Sequence, residues 1–298
     1  MSTEFVSAGS LGEALDWLAS LGSDAAVLAG GTDLMLQLRR DEQRAGTLLH
    51  IERLRELGEV RRSDALAIGA LVTHRKLARA PELRPCHGAI CAAAALVGGW
   101  QTQNVGTVGG NLCNASPAAD LVPPLLVHGA RVGLESRARG RRELALAEFL
   151  LDRRRTRREP DELLTEVLLE PVAPRTADTF MKVGRRSAME VAIASLALRL
   201  TLAPDDATIT AVRVATGAVG PVACRAVATE ALLTGARLGD AIARAAAAQL
   251  SQEIRPIDDA RGSASYRRAV IGRVLVQALD DCAARIRARR QRGHGDDR

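Results

Sequence analysis

The spacing of apolar positions at the start of the chain predicts alternating helix and strand. Apolar residues recur every three or four positions over Leu11–Leu21, directly after Ser10, which is typical of a helix with an N-terminal cap. Short apolar runs at residues 25–29 and 47–51 indicate strands, and residues 33–40 between them have a helical pattern. This part of the chain is therefore predicted to form a small β-α-β unit.

The central part of the chain mixes extended and helical patterns. Strands are predicted at residues 66–71, 130–135, 144–146 and 163–171. Helices are predicted after the capping residue Thr73, over residues 89–96, and from Pro117 to Leu126, because proline suits the first position of a helix. Pro171 and Pro174 then mark a domain boundary.

The remainder of the chain has three strand-like runs followed by three helical ones. The strands are predicted at residues 180–183, 192–202 and 208–216, and the helices at residues 226–233, 240–251 and 264–287. A three-stranded antiparallel sheet covered by helices is the simplest packing of these elements. We therefore predict an α+β protein with one domain over residues 1–174, a second over residues 175–290, and a disordered tail over residues 291–298.

Composition narrows the classes of function. The 298 residues are 47% hydrophobic and 26% charged, which suits a chain with two packed domains. Only 2% are aromatic, so platforms for stacking nucleic-acid bases are scarce, and the net charge of +6 is accompanied by no nucleic-acid recognition motif. The five scattered cysteines show no C-x-x-C spacing, which predicts a reducing compartment, taken here as the cytoplasm, and no metal site. No apolar stretch is long enough to predict a membrane span.

Two glycine segments carry the candidate chemistry. The first glycine segment, residues 27–34, reads Val-Leu-Ala-Gly-Gly-Thr-Asp-Leu, and the second, residues 105–112, reads Val-Gly-Thr-Val-Gly-Gly-Asn-Leu. Glycine lets the backbone turn sharply and direct successive amides at phosphate oxygens, and Asp120 could accept hydrogen bonds from a ribose or from the loop itself. Each segment alone is equally compatible with a simple turn. The Rossmann and Walker glycine motifs are both absent from the sequence.

One run of charge remains open to two interpretations. Residues 153–158 read Arg-Arg-Arg-Thr-Arg-Arg. Such a run is typical of an exposed, solvated loop, and it is also compatible with a surface that docks another subunit. The sequence does not decide between them.

The combination of motifs is more specific than either glycine segment. The chain resembles the FAD-binding medium subunits of the molybdenum hydroxylases, which include the flavoprotein subunits of xanthine dehydrogenase and carbon monoxide dehydrogenase. The matching stretches occur in family order along nearly the whole chain: residues 29–33, 49–51, 68–70 with Thr73, 107–111, 116–120, 217–219, 258–263 and 266–267. The resemblance implies a two-subdomain FAD-binding domain of the PCMH type, followed by a C-terminal flavoprotein domain.

The resemblance also implies the residues that contact FAD. They are Val27, Leu28, Ala29, Gly30, Gly31, Thr32, Asp33 and Leu34, then Thr107, Val108, Gly109, Gly110 and Asn111, and finally Asp120, Leu168 and Lys182. Xanthine dehydrogenases carry an aromatic residue before the second segment where this chain has Val97, so stacking on the cofactor is not expected there. No residue stands out as a catalytic base or nucleophile.

In this family, the resemblance implies, the chain is an electron-transfer subunit. It would pass electrons from the 2Fe–2S clusters of a small partner subunit through FAD to an external acceptor, while a large subunit with the molybdenum cofactor oxidises the substrate. A dimer of heterotrimers would be the assembly. The alternatives are a free-standing FAD-dependent oxidoreductase and a non-catalytic scaffold subunit that has lost FAD. The substrate is not readable from this chain, and NAD, a quinone, a cytochrome and oxygen all remain candidate acceptors.

Overall fold

A computed structural model of the chain describes residues 3–62, 66–186 and 189–293. The strands are β1 (Glu4–Ser7), β2 (Ala25–Leu28), β3 (Thr47–His50), β4 (Val60–Arg62), β5 (Leu66–Gly69), β6 (Arg131–Ser136), β7 (Gly140–Ala145), β8 (Leu150–Asp152), β9 (Arg155–Thr156), β10 (Glu162–Leu169), β11 (Thr176–Val183), β12 (Ala194–Leu202), β13 (Ile209–Gly217) and β14 (Cys224–Arg225). The helices are α1 (Leu11–Leu21), α2 (Leu34–Arg39), α3 (His74–Arg79), α4 (Gly88–Ala95), α5 (Trp100–Val105), α6 (Val108–Asn114), α7 (Val122–Val127), α8 (Leu146–Phe149), α9 (Val227–Leu233), α10 (Asp240–Glu253) and α11 (Ala264–Gly293).

The chain folds into two compact units, and each unit is assembled from separate stretches of sequence. Unit 1 contains residues 1–82, 97–116 and 129–170, and unit 2 contains residues 83–96, 117–128 and 171–298. The expected boundary after Pro174 lies close to the point where the chain passes into unit 2 for the last time. Of the expected disordered tail, residues 291–293 belong to α11, and residues 294–298 lie outside the described residues.

Unit 1 begins with the predicted β-α-β unit. Its parallel sheet has the order β1-β3-β2, and α1 lies beside it. Ser10 caps α1 as expected, because its hydroxyl accepts a hydrogen bond from the amide of Glu13 at 3.2 Å. Leu15, Leu18 and Leu49 bury their side chains in the core of this part. The apolar periodicity of α1 thus positions the strand β2 that leads into the first glycine segment.

A second sheet of unit 1 is antiparallel, with the strand order β4-β5-β10-β6-β7. The eight-residue β10 lies at its centre and pairs with β5 on one side and β6 on the other. The turn after β5 supplies the carbonyls of Ala70 and Val72, which accept hydrogen bonds from Gly109 and Val108. This sheet therefore holds the start of the second glycine segment.

Unit 2 is built on the antiparallel sheet β11-β12-β13-β14. The three predicted strands pair in chain order, and the two-residue β14 adds a fourth. The core of this unit combines the sheet with α9, α10 and α11 and is made almost wholly of alanine, valine, leucine and isoleucine. Although aromatic residues are scarce, aliphatic side chains fill the space between the helices and the sheet.

Several of the stretches that match the family are linked to one another by hydrogen bonds within unit 2. The buried Arg267 donates hydrogen bonds to the carbonyl of Ala218 at 2.5 Å and to the carboxylate of Asp259 at 2.6 Å. The amide of Ala218 in turn donates to the carbonyl of Pro117 at 2.8 Å. These contacts connect the end of β13, the start of α11 and the segment after residue 116.

Two predictions in this region of the sequence are wrong. A helix from Pro117 was expected, but α7 begins at Val122, since residues 117–120 form turns and the carbonyl of Pro117 is occupied by Ala218. Pro123 and Pro124 instead occupy the first turn of α7, where a missing amide hydrogen costs nothing. The second glycine segment, expected as a loop, is in large part the helix α6.

Candidate functional site

The first glycine segment is a tight turn between β2 and α2. Gly31 has a φ of +67°, a left-handed conformation that favours glycine. At Gly30 a Cβ atom would lie 1.7 Å from the carbonyl oxygen of Val105, so only glycine allows the two segments to touch here. The two glycine motifs are therefore in direct backbone contact.

The backbone amides at this turn are unpaired. Within residues 3–62, 66–186 and 189–293, the amides of Gly30, Gly31 and Thr32 donate no hydrogen bond. The amides of Asp33 and Leu34, at the start of α2, are also unpaired there, and the amide of Met35 is the first to enter the helical pattern. Gly30, Gly31 and Thr32 line a cavity of about 470 Å³. Because unpaired amides of a folded chain normally find a partner in water or a ligand, this turn is a row of donors available to an acceptor in the cavity.

The second glycine segment uses its glycines differently. The hydroxyl of Thr107 caps α6 by accepting a hydrogen bond from Gly110 at 3.1 Å, and the amide of Gly109 donates to the carbonyl of Ala70 at 2.8 Å. A Cβ at Gly109 would lie 2.9 Å from that of Ala70. The amides of Val108, Gly109, Gly110 and Asn111 are thus all occupied within the protein. This segment can therefore contribute side chains and closely packed backbone to the site, but no unpaired amides.

Asn111 supplies an unsatisfied polar atom at the same cavity. Its side-chain oxygen is buried and has no hydrogen-bond partner among the described residues. A buried oxygen without a partner is costly, so such an atom in a native fold points to a bound group that completes it.

Two titratable side chains line the cavity. Burial lowers the pKa of His74 to about 4, so its ring is neutral at physiological pH, and its Nδ1 has no partner in the described part of the chain. Asp33 is an exposed residue, yet the surrounding protein partly desolvates its carboxyl and raises the pKa. The charge of Arg154 and contacts with Thr32 and Asn114 oppose that rise.

Most of the residues expected to bind the cofactor gather at this cavity. They are Val27, Ala29, Gly30, Gly31, Thr32, Asp33, Leu34, Thr107, Gly109, Gly110 and Asn111. Leu28, Val108 and Leu168 do not line it. Val108 is fully buried, and Leu168 is half-buried on β10 where it pairs with Ala67 and Arg131. Asp120 and Lys182 belong to unit 2.

Other cavity residues were not expected from the sequence. Gln37 and Asn114 join α2 to α6 through a side-chain hydrogen bond of 2.8 Å. Arg154 and Arg158 come from the arginine run, whose charge was the only signal that could have pointed to them. His74 is unmarked in the sequence, since it follows the predicted cap Thr73 as an ordinary first residue of a helix.

Asp120 and Lys182 form a buried ion pair in unit 2. The Lys182 Nζ lies 2.6 Å from a carboxylate oxygen of Asp120 and donates to the carbonyl of Leu96 at 3.0 Å. Both side chains are more than 90% buried, and burial raises the pKa of Asp120 to about 6 although Lys182 opposes the rise. The second oxygen of Asp120 is buried without a partner among the described residues. Two of the residues that the resemblance implies, Asp120 and Lys182, are therefore in contact, and one carboxylate oxygen of Asp120 remains without a partner among the described residues.

The donor and acceptor set of the unit 1 cavity suits an anionic dinucleotide. Three successive unpaired amides match phosphate oxygens, while the unpaired oxygen of Asn111 matches a donor such as a hydroxyl or a ring N–H. The cavity has the size expected of a cofactor site and is lined by both apolar and polar groups. Within the described residues, no three His, Cys, Asp or Glu side chains gather to hold a metal ion. Nor does any helix there have the length and apolar character needed to cross a membrane.

Comparison with known proteins agrees with this chemistry. Residues 1–171 match the family described as FAD binding domain in molybdopterin dehydrogenase, and residues 179–282 match the CO dehydrogenase flavoprotein C-terminal domain. The chain is 32% identical to the 6-hydroxypseudooxynicotine dehydrogenase complex subunit alpha of Paenarthrobacter nicotinovorans, over 93% of this chain and 95% of the relative. It is 30% identical to the nicotinate dehydrogenase FAD-subunit of Eubacterium barkeri, over 86% of this chain and 88% of the relative.

The fold agrees as well. The chain is similar to a chain of carbon monoxide dehydrogenase from Hydrogenophaga pseudoflava, with a TM-score of 0.90, 30% identity, and coverage of 96% of this chain and 98% of that chain. The similarity spans both units and both sequence families. The chain therefore belongs to the FAD-binding medium subunits of the molybdenum hydroxylases, an oxidoreductase family with FAD as its cofactor.

Proposed function

We propose that the chain is the electron-exit subunit of a molybdenum hydroxylase. It would receive electrons from the 2Fe–2S clusters of a small partner subunit and deliver them to an external acceptor, while a large molybdenum-cofactor subunit oxidises the substrate. When bound, FAD supplies the redox chemistry that the side chains of this chain lack. The row of unpaired amides at Gly30, Gly31 and Thr32, beside a buried acceptor on Asn111, is the observation that carries the proposal.

In this proposal the chain's own residues bind and orient the cofactor. The amides of the first glycine segment would donate to the pyrophosphate, and Gly31 gives the turn the conformation that exposes them. Thr107 and Asn111 would contribute polar contacts from the second segment. Leu28, Val108, Leu168, Asp120 and Lys182 are kept as proposed contacts on the strength of the family resemblance. The division into domains at residues 1–174 and 175–290 belongs to the same proposal.

The resemblance implies that Lys182 contacts FAD, but the charge of this lysine already has a partner. A free ammonium beside the flavin would favour an anionic reduced cofactor, but the charge of Lys182 is balanced by Asp120 at 2.6 Å. For Lys182 to act as a net positive charge, Asp120 must accept a proton, and the raised pKa of Asp120, about 6, eases that change.

The partners and surroundings follow from the family. The relatives are named as subunits of dehydrogenase complexes or as a dehydrogenase medium chain. We expect this chain to assemble with a small 2Fe–2S subunit and a large molybdenum subunit as a dimer of heterotrimers in the cytoplasm.

The experiment that tests the proposal is purification of the tagged chain from its own cells. We expect a yellow complex in which FAD is bound in equal amount to this chain, and in which iron, acid-labile sulfide and molybdenum copurify. A flavoprotein that purifies alone and reduces an acceptor without partners would establish the free-standing oxidoreductase. A colourless chain that does not bind added FAD would establish the scaffold instead.

A further inference from the structure

The arginine run that the sequence left open lies at the wall of the cavity. Strands β8 and β9 form a two-stranded hairpin, and Arg153 and Arg154 form its turn. Arg154, Thr156 and Arg158 line the same cavity as the unpaired amides of Gly30, Gly31 and Thr32. The run is thus part of the candidate site, and its members differ in what their side chains contact.

A hydrogen bond fixes the backbone of Arg154, whereas a weak, partly exposed ion pair is the contact of its side chain. Its amide donates to the carbonyl of Ala115, the residue directly after α6, at 2.9 Å, and its φ of +59° is that of a tight turn at the tip of the hairpin. Its guanidinium contacts a carboxylate oxygen of Glu42 at 2.9 Å. Both side chains of this ion pair are about two-fifths exposed, 43% and 38%, so the pair is of the weak, solvent-screened kind.

Arg158, the other arginine at the cavity, is held through one nitrogen of its guanidinium, Nη1. Its guanidinium donates to the carbonyls of Glu159, Pro160 and Glu162 at distances of 3.1, 3.5 and 2.7 Å. These contacts tie Arg158 to the backbone of the loop after β9 and to the first residue of β10.

Glu42 has a second cation within reach. The Arg40 guanidinium lies 3.9 Å from its other oxygen. If Arg154 turned away, the carboxylate of Glu42 would keep a partner and would not be left unpaired.

The field of Arg154 reaches the first glycine segment. Arg154 acts on the carboxyl of Asp33 to lower its pKa against the effect of burial. Asp33 directly follows Thr32, whose amide is unpaired in the described part of the chain. A pyrophosphate held by neutral amides at this turn would lie in the same positive field.

We propose that Arg154 is a phosphate-binding residue of the FAD site, and that its guanidinium exchanges the carboxylate of Glu42 for the cofactor's pyrophosphate. This inference rests on the proposed FAD function. A guanidinium forms paired, charge-assisted hydrogen bonds with phosphate oxygens. A pyrophosphate carries more negative charge than the single exposed carboxylate of Glu42, so it is the stronger partner for Arg154. Glu42 then acts as a competitor that holds Arg154 in place while the cofactor is absent.

The test measures FAD affinity of the apoprotein by quenching of flavin fluorescence in four variants. Arg154→Ala should raise the Kd about tenfold, the loss expected for one charge-assisted contact. Glu42→Gln should lower the Kd about threefold, because it removes the competing charge while preserving the shape of the side chain. Arg153→Ala is the matched control, since it removes the same charge from the same hairpin turn at a residue that does not line the cavity. Its Kd should stay within about twofold of the unmodified chain.

Competing ligands and salt identify the contact. In Arg154→Ala, competition by ADP should weaken by the same factor as FAD binding, whereas competition by adenosine, which has no phosphate, should not change. Raising the salt concentration should weaken FAD binding less in Arg154→Ala than in the Arg153→Ala control. Arg154→Lys, which keeps the charge but loses the fork, should fall between the two.

The outcomes separate this inference from the function on which it rests. If the unmodified apoprotein does not bind FAD, the proposed function and the inference both fall. If it binds FAD but Arg154→Ala behaves like Arg153→Ala, the inference alone is wrong. If Glu42→Gln weakens FAD binding as Arg154→Ala does, the pair is a structural tie and the exchange is rejected. Thermal unfolding of each apo variant identifies any loss of affinity that comes from unfolding.

Discussion

Gly30 shows how a single absent methyl group shapes the site. A Cβ there would lie 1.7 Å from the carbonyl oxygen of Val105, so the backbone of one segment would have to move away from the other. We expect Gly30→Ala to lower the free energy of unfolding by about 2–3 kcal/mol, the cost of forcing an atom into a packed region. Urea unfolding of the apoprotein measures this.

Gly12 provides the control. It lies in α1, and a Cβ there would meet nothing within 4 Å. Gly12→Ala should therefore raise the free energy of unfolding by about 0.5–1 kcal/mol through helix propensity alone. Equal effects of the two substitutions would refute the close contact at Gly30.

Asn111 should affect stability and affinity in opposite directions. Its buried oxygen has no partner among the described residues, so Asn111→Ala removes an unsatisfied acceptor from the apoprotein. We expect the free energy of unfolding of the apo form to stay equal or rise by about 1 kcal/mol, while the Kd for FAD rises about tenfold. Calorimetry without cofactor and fluorescence titration with it measure the two effects. A variant that loses stability but keeps its affinity would show that Asn111 serves the fold alone.

At this scale the sequence predicts backbone requirements better than side-chain partners. Gly30 and Gly31 were predictable because only glycine meets a steric or conformational demand that a motif makes visible. The unpaired side-chain atom of Asn111 and the neutral state of His74 depend on burial by distant stretches of chain, which no local pattern records. Arg154 was visible only as charge, and its place at the cavity depends on how a short hairpin folds back.

Among the elements of unit 2, the pair of Asp120 and Lys182 joins the turn before α7 to the strand β11. Lys182→Met would leave the Asp120 carboxylate buried without its cation. We expect a loss of about 3 kcal/mol in the free energy of unfolding at pH 8, in line with other broken buried pairs. The loss should shrink at pH 5, because protonation removes the uncompensated charge.

The sign of this pH dependence follows from the pKa of Asp120. Its pKa is raised from 3.8 to about 6 in the folded chain, so the folded state binds this proton more readily than the unfolded state. The contribution of Asp120 to the free energy of unfolding is therefore fully present below pH 3.8 and is lost as the pH rises through about 6. Urea unfolding of Lys182→Met and of the unmodified chain at pH 5 and pH 8 measures the loss of stability at each pH. Adding Asp120→Asn to Lys182→Met should make the loss the same at both values of pH. A loss in Lys182→Met alone that is equal at both values of pH would contradict the assignment.

Long elements were predictable from the sequence, and short polar ones were not. The strands β12 and β13 and the helices α1, α10 and α11 carry apolar patterns long enough to identify. The strands β4, β8 and β9 have only two or three residues each, too few to show an alternating pattern, so their pairing depends on neighbours. The start of α7 was misplaced because Pro117 is as compatible with a turn as with a first helical position.

For the whole molecule, the division of the sequence differs from the division of the fold. Residues 83–96 and 117–128 precede Pro174 in sequence but belong to unit 2, where α4 contacts β11 and α7 contacts β12 and β13. A linear reading of patterns finds boundaries between elements, but it does not reveal which elements share a core.

This arrangement predicts the behaviour of fragments. A chain of residues 1–174 would carry α4 and α7 without the sheet on which they pack, exposing buried residues such as Ile90 and Leu125. We expect this fragment to aggregate or to show no cooperative unfolding, and coexpression with residues 175–298 to restore a soluble, cooperatively folded protein. Size-exclusion chromatography and thermal unfolding test this. A soluble fragment that unfolds cooperatively by itself would contradict it.

The interleaved course of the chain also has a consequence for synthesis. Helices α4 and α7 leave the ribosome well before the strands on which they pack, so their apolar faces stay uncovered until β13 is complete at residue 217. The cavity in unit 1 likewise lacks Arg154, Leu163 and Leu164 until residues 129–170 have been translated. We therefore expect the cofactor to bind only after residue 170 has been translated, when all of unit 1 exists and most of unit 2 does not.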